Sequence, residues 1–230
     1  MAKNREGGGE GLSSALSTAR EAVEKLRGFG GPTSPFQYEI YLSRSSSTKI
    51  ESKDRKVESL ARSEDVGLSI RIKRQNRVGF SFTTSLDRDA IRKAANSALQ
   101  VSEVLPDEPD VDLGGFDSEI PTLSGRYDGS GLSVPIEEKI ALATKLEDLV
   151  RAADPRIRGV RSAALSESDF ETVLSSHEGA VLSHRGTLFS ASLACKAEED
   201  GDAQMGYEYV FSPRLAGLDL EFCARSGAES

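Results

Sequence analysis

The chain has 230 residues, with 29 Lys plus Arg against 37 Asp plus Glu, a formal net charge of −8. Its 37% hydrophobic share and 21 Gly are ordinary for a globular protein, and no stretch approaches the roughly 18 apolar residues of a membrane helix. The acidic balance argues against broad binding to nucleic acid or anionic membrane, and two Cys with two His leave little for a disulfide framework or a His-based centre.

Residues 1–11 are polar and Gly-rich, which reads as a disordered leader and not as a secretory signal. Leu12, Leu16, Ala19, Val23 and Leu26 then recur on one face of a helix, which the Gly and Pro residues at 28–32 stop. Tyr38, Ile40 and Leu42 alternate as a half-buried strand, and the polar run Ser43–Ser47 reads as a turn or bulge. Residues 48–52 and 56–61 predict two more short strands around Lys53-Asp54-Arg55. Val66, Leu68, Ile70 and Ile72 share one strand face, and Val78, Phe80 and Phe82 share a core-facing side of the next. The turn Arg74–Arg77 joins them, with Asn76 suited to a left-handed conformation. Gly67 and Gly79 each mark a bulge or a close backbone approach. A helix follows from about Leu86, with a narrow face of Ala90, Ala94, Ala98 and Val101.

Residues 103–133 lack a period and hold three prolines, several acids and five glycines. Pro135 opens a helix with Ile136, Ile140, Ala143, Leu146 or Glu147, and Val150 inward. The remainder is mostly strand: 160–165, 170–176 and 180–184 around His177-Glu178-Gly179, then alternating Phe189, Ala191, Leu193 and Cys195. The acidic turn Glu199–Asp202 leads into Met205, Tyr207, Tyr209 and Phe211. Another helix begins near Leu218. Grouped strands joined by hairpins predict an α+β fold, mostly antiparallel sheets with helices packed on one face and a helix-then-sheet layout in each half. The expected organisation is a leader at 1–11, an N-terminal α+β subdomain at 12–105, a connection at 106–132 and a second α+β subdomain at 133–230.

Motifs for chemistry are sparse. His177-Glu178 with His184 departs from His-Glu-x-x-His, because the second histidine lies seven residues on and the segment alternates as strand. Cys195 reads as a buried thiol, and Cys223 carries no motif. Glu198, Glu199, Asp200 and Asp202 match no calcium loop and read as a solvated hairpin tip. Arg71, Lys73, Arg74 and Arg77 beside Phe80 and Phe82 form a basic–aromatic group, but on a core-facing strand of an acidic chain. The glycines at 7–9, 28–31 and 129–131 form no phosphate loop, and no catalytic, metal or substrate-binding residue is assigned.

Several segments nonetheless resemble one family. Val66–Ile72 followed by Arg77–Thr84, the Ala-rich helix after it, Ile136–Lys139 through Ala152–Ile157, Ser176–Gly179, and Glu199–Gly201 to Gly206–Glu208 are similar in order and spacing to the N-terminal region of TldD/PmbA (TldE) proteins. The resemblance spans roughly residues 36–220. It implies a cytoplasmic metalloprotease system in which a TldD subunit carries a zinc-binding His-Glu-x-x-x-His helix, pairs with PmbA/TldE, and trims unfolded peptides. The older family label is modulator of DNA gyrase. It further implies a chain about twice this length with a β-rich C-terminal domain, so this one is expected to be truncated. No His-Glu-x-x-x-His occurs here, and the general look favours the PmbA/TldE side. Zinc is accordingly expected in a TldD-like partner and no cofactor in this chain. The expected partners are that subunit and an extended peptide, with no membrane and no nucleic acid. Two alternatives stand beside this: a non-enzymatic binding module touching gyrase or nucleic acid, and a self-contained hydrolase using His177, Glu178 and His184.

Overall fold

A computed structural model describes residues 8–27, 36–114, 116 and 125–230. Six strands and five α-helices lie among them: α1 (Gly8–Arg27), β1 (Phe36–Lys53), β2 (Lys56–Arg74), β3 (Arg77–Thr83), α2 (Arg88–Val104), α3 (Gly129–Ser133), α4 (Ile136–Ala153), β4 (Ile157–Ser176), β5 (Val181–Glu199), β6 (Asp202–Ser212) and α5 (Leu220–Glu229). The strands are antiparallel, with hydrogen-bonded neighbours in the order β3-β2-β1-β4-β5-β6, so the fold is α+β as expected. Among the described residues no helix is long and apolar enough to cross a membrane.

Four strands are longer than their sequence pattern suggests. β1 runs unbroken through the polar run Ser43–Ser47, and β2, β4 and β5 each join segments expected to be separate. The alternation fades at 43–48 because neither face is fully buried there. The backbone ladder continues regardless, and Ser47 Oγ and Ser63 Oγ hydrogen-bond at 2.8 Å. α1 begins at Gly8, inside the stretch expected as a disordered leader. Residues 1–7 of that leader, the glycine-proline stop at 28–32, and 115 and 117–124 of the connection lie outside the described residues.

Packing divides the chain into two compact units, each discontinuous: residues 1–44, 65–122 and 171–184, and residues 45–64, 123–170 and 185–230. In the first, α1 and α2 bury Leu12, Ala19, Val23, Ile91, Ala95 and Ala98 against Ile40, Leu42, Leu68, Ile70 and Ile72. The α2 face is turned from its expected position: Ile91, Ala95 and Ser102 are buried, whereas Ala90 and Val101 are half-exposed. The β2–β3 register sets Ile70 opposite Ser81 and Ile72 opposite Gly79. Directly opposed residues share a face, so Gly79 and Ser81 point to the helices, and Phe80 and Phe82 stand exposed on the other side. This overturns their expected core-facing role. The cause is α2: a Cβ at Gly79 would lie 2.5 Å from the Ser102 nitrogen and closer still to the Ala98 carbonyl oxygen. Only a residue without a side chain fits, so the large rings take the opposite parity. In the turn, the left-handed residue is Gln75 (φ 56°) and not Asn76.

In the second unit, α4 and α5 cover the sheet with Ala143, Leu146, Val150, Leu220, Cys223 and Ala224 over Ala163, Leu165, Ala191 and Leu193. The inner face of α4 also buries two charges, Lys139 and Glu147. Both Leu146 and Glu147 are buried, which resolves the two inward candidates in favour of both. The Glu147 carboxylate accepts from Ser52 Oγ (3.0 Å), the Arg55 backbone N–H (3.0 Å) and the Arg151 guanidinium (2.8 Å). It thereby anchors the Asp54-Arg55 turn, where both residues adopt positive φ without being glycine (50° and 59°). Burial raises the Glu147 pKa, but the bonds from Arg151, Arg55 and Ser52 outweigh it and hold the carboxyl below the usual glutamate range. A pKa lower in the folded than in the unfolded state contributes stability at neutral pH that fades as pH falls below that range. Urea midpoints measured from pH 7 to pH 3 are expected to show a steeper acid decline for the native chain than for Glu147→Gln. Equal slopes would show that the carboxylate contributes nothing through its charge.

Candidate functional site

The residues weighed for chemistry in the sequence do not converge. Among the described residues, no group of three His, Cys, Asp or Glu side chains can hold a metal ion. His177 lies in the β4–β5 turn with its N–H bonded to the Tyr38 carbonyl (2.9 Å) and its ring edge-on to the Tyr38 ring, and its Nδ1 is buried without a hydrogen-bond partner. Glu178 and His184 are exposed. His177, Glu178 and His184 thus belong to no such ligand group among the described residues. Cys195 and Cys223 are buried, the first with its thiol donating to the Gly227 carbonyl at 3.3 Å. Burial raises both thiols, Cys223 to about 12, so neither is a ready nucleophile.

At the acidic hairpin tip, Glu198 and Glu199 are paired with cations. Arg156 reaches Asp154 (2.8 Å) and Glu199 (3.3 Å), and Lys196 pairs with Glu198. The Arg156 side chain and backbone N–H hold Asp154 down to about 2. The basic hairpin of the first unit is likewise spent. Arg71 pairs with Glu39, Arg74 with Glu103 and Arg77 with Asp107, while Lys73 donates to the Pro109 and Val111 carbonyls. A strip built to bind phosphates would leave those cations free. The glycines at 129–131 open α3, where Asp128 accepts from the Gly131 N–H at 2.9 Å. Gly8 and Gly9 start α1, and residues 7 and 28–31 lie outside the described residues.

What the structure assembles instead are two aromatic strand edges, one in each unit. β6 is the last strand of its sheet and pairs with β5 alone. Met205, Tyr207, Tyr209 and Phe211 are between 53% and 66% exposed along it, with rings spaced 6.3 and 6.2 Å apart. Across from them stand Lys196, Ala194, Ser192 and Ser190 of β5, three of them small, so the rings rise above a low floor. On the reverse face, Gly206 meets the backbone of Gly227 in α5, and the Glu208 carboxylate takes the Ser226 hydroxyl (2.6 Å).

The turn sets the direction of the β6 backbone groups. Asp200 and Gly201 are both left-handed, a two-residue hairpin that makes Glu199 and Asp202 its closing pair. Counting in twos from Asp202, Gln204, Gly206, Glu208 and Val210 turn their backbone groups to β5, so Met205, Tyr207, Tyr209 and Phe211 between them fall where N–H and C=O point away from it. Two of these N–H groups are met within the chain, Tyr207 by Ser230 Oγ (3.1 Å) and Tyr209 by Glu208 Oε1 (2.9 Å). β3 repeats the arrangement in the first unit: Phe80 and Phe82, rings 6.2 Å apart, stand exposed on a short edge strand. The alternation at 205–211 is legible in the sequence, but which of its two sides packs against a helix is not, because that depends on the placement of α5.

The profile of the PmbA/TldA metallopeptidase domain 1 matches residues 38–102, and that of the PmbA/TldA metallopeptidase central domain matches residues 129–230. The chain belongs to the PmbA/TldD family. It is similar to metalloprotease PmbA of Escherichia coli O157:H7, 25% identical over 185 residues, which is 78% of this chain and 40% of that protein. Solved structures share the fold: TldE of Thermococcus kodakarensis (TM-score 0.71, 19% identity, 90% of this chain and 46% of that one) and a Bacteroides thetaiotaomicron protein described as a modulator of DNA gyrase (0.75, 19%, 93% and 48%). A Thermotoga maritima protein described likewise matches at 0.70 with 14% identity, over 93% of this chain and 47% of that one. The chain thus spans 40% of the curated relative's length and just under half of these structures.

Proposed function

We propose that this chain is the N-terminal part of a PmbA/TldE-like subunit in a cytoplasmic, heterodimeric TldD/PmbA proteolytic system. In this reading it holds an extended, unfolded peptide as an added strand along β6, while a TldD-like partner supplies zinc and cleaves the peptide. The observation that supports it is the β6 edge, where exposed Met205, Tyr207, Tyr209 and Phe211 coincide with outward backbone groups. An added strand gains affinity from main-chain hydrogen bonds and selectivity from alternate side chains. The described residues do not fit zinc, so no step of hydrolysis is routed through them.

The experiment mixes the chain with a full-length TldD-like subunit and a labelled apolar peptide, then follows complex formation, peptide capture and cleavage. Peptide N-methylated at alternate amides is expected to bind about tenfold or more weakly in one of the two possible phases, because only one set of amides faces β6. Tyr207→Lys/Tyr209→Lys is expected to weaken capture similarly. No complex with the TldD-like subunit and no effect on cleavage would overturn the proposal.

A further inference from the structure

The second unit also carries a groove of about 760 Å³, within the roughly 300–1,000 Å³ of pockets that bury a ligand. It runs between α4 and the segment Leu215–Glu221. Glu138, Leu142 and Lys145 supply the α4 wall, spaced to share one helix face. Leu142, Leu215 and Leu218 are half-buried and give the groove an apolar floor. Its charged walls are lopsided: Asp128, Glu138, Asp219 and Glu221 against Lys145 alone.

Those charges differ from the acidic turn of the same unit. There, Arg156 and Lys196 meet the carboxylates in ion pairs. In the groove, Glu138, Lys145 and Glu221 form no ion pair among the described residues. Asp128 and Asp219 accept backbone N–H groups, from Gly131 (2.9 Å) and Leu215 (3.0 Å) and from Phe222 (2.8 Å) respectively. These bonds fix the two carboxylates in place as the N-caps of α3 and α5, so the unpaired acids of the groove are Glu138 and Glu221.

We propose that this groove docks a basic amphipathic peptide segment of a partner protein. A leucine-sized side chain sits on Leu142, Leu215 and Leu218, and flanking Lys or Arg groups meet Glu138 and Glu221. The groove is separate in residues from the β6 strip, so its occupant is a partner's docking segment and not the strand-like peptide held there. Charge of one sign on the rim speeds association and selects against acidic segments, while the apolar floor sets the lifetime of the complex.

The test uses a fluorescein-labelled octapeptide of Lys and Leu and its analogue with Glu for every Lys, titrated by anisotropy at low and high salt. The lysine peptide is expected to bind and the glutamate peptide not, with affinity falling as salt rises. Glu138→Lys/Glu221→Lys is expected to weaken binding about tenfold or more, and Leu142→Ser severalfold. The pair Glu58→Lys/Glu64→Lys changes the net charge equally on exposed β2 and is expected to do little. Equal loss in that control pair would assign binding to diffuse charge and overturn the proposal, as would no binding or equal binding of both peptides. Circular dichroism checks folding, and Glu138→Gln/Glu221→Gln replaces the reversed pair if that pair unfolds.

Discussion

Replacing Gly79 with Ala is expected to destabilise the chain by about 1–3 kcal/mol or more, the range for forcing an extra carbon into a packed core. The added methyl group meets backbone, the Ala98 carbonyl and the Ser102 nitrogen of α2, and neither can swing aside as a flexible side chain would. α2 must retreat from β3, which loosens Ile91, Ala95 and Ala98 against Ile70 and Ile72. Gly67 provides the control within the same sheet. A Cβ there meets only Ser43 Oγ at 3.7 Å, an ordinary contact. Gly67→Ala is expected to be neutral or slightly stabilising, because alanine restricts the unfolded chain more than glycine does. Urea midpoints of the two variants check this, and equal losses would refute the steric account.

Lys139→Met is expected to cost about 3–5 kcal/mol, the range for breaking a buried ion pair by removing one charge. Lys139 and Glu167 are 3% and 8% exposed at their side chains and are paired directly. The ammonium also donates to the Leu132 carbonyl at 3.0 Å, tying α4 to α3. Methionine keeps the length of the stem but removes the ammonium that meets the Glu167 carboxylate in a setting with little water. The double variant Lys139→Met/Glu167→Met removes both charges and is expected to recover most of the loss. Chemical denaturation of the two single variants and the double one completes a mutant cycle. A double variant as unstable as the sum of the singles would mean that the pair is not energetically coupled.

Local pattern carried the positions of the helices and most of the buried strand faces, Tyr38-Ile40-Leu42, Leu68-Ile70-Ile72 and Phe189-Ala191-Leu193 among them, and lost the strand lengths and the side of β3. α4 was legible from Pro135 to Val150 because its inner face repeats at helical spacing and its first turn is acidic. β1 was broken at Ser43–Ser47 because a polar stretch and a turn share a composition, whereas the ladder that sustains the strand is supplied by other parts of the chain. Phe80 and Phe82 were assigned inward on hydrophobicity alone. Their actual face is decided by how closely α2 approaches Gly79, a tertiary fact with no local signature. The β6 alternation carries no sign of which side is exposed or that the strand is an edge, since being the last strand is a property of the sheet order and not of residues 202–212. The groove was invisible for a related reason: Glu138 and Glu221 are 83 positions apart, and only the packing of α5 beside α4 makes them neighbours of one cavity.

The two thiols beneath α5 have a use as timekeepers. Cys195 is covered by the Gly227 carbonyl, and Cys223 sits on the buried side of α5 itself. An alkylating reagent can reach them only while that helix lifts, so the rate of modification measures how often it opens. Ser230, at the end of the same helix, is the group that caps the Tyr207 N–H. Each lifting event therefore also bares the Tyr207 amide on the β6 edge, and thiol chemistry on one side of the sheet counts the exposures of a backbone group on its margin.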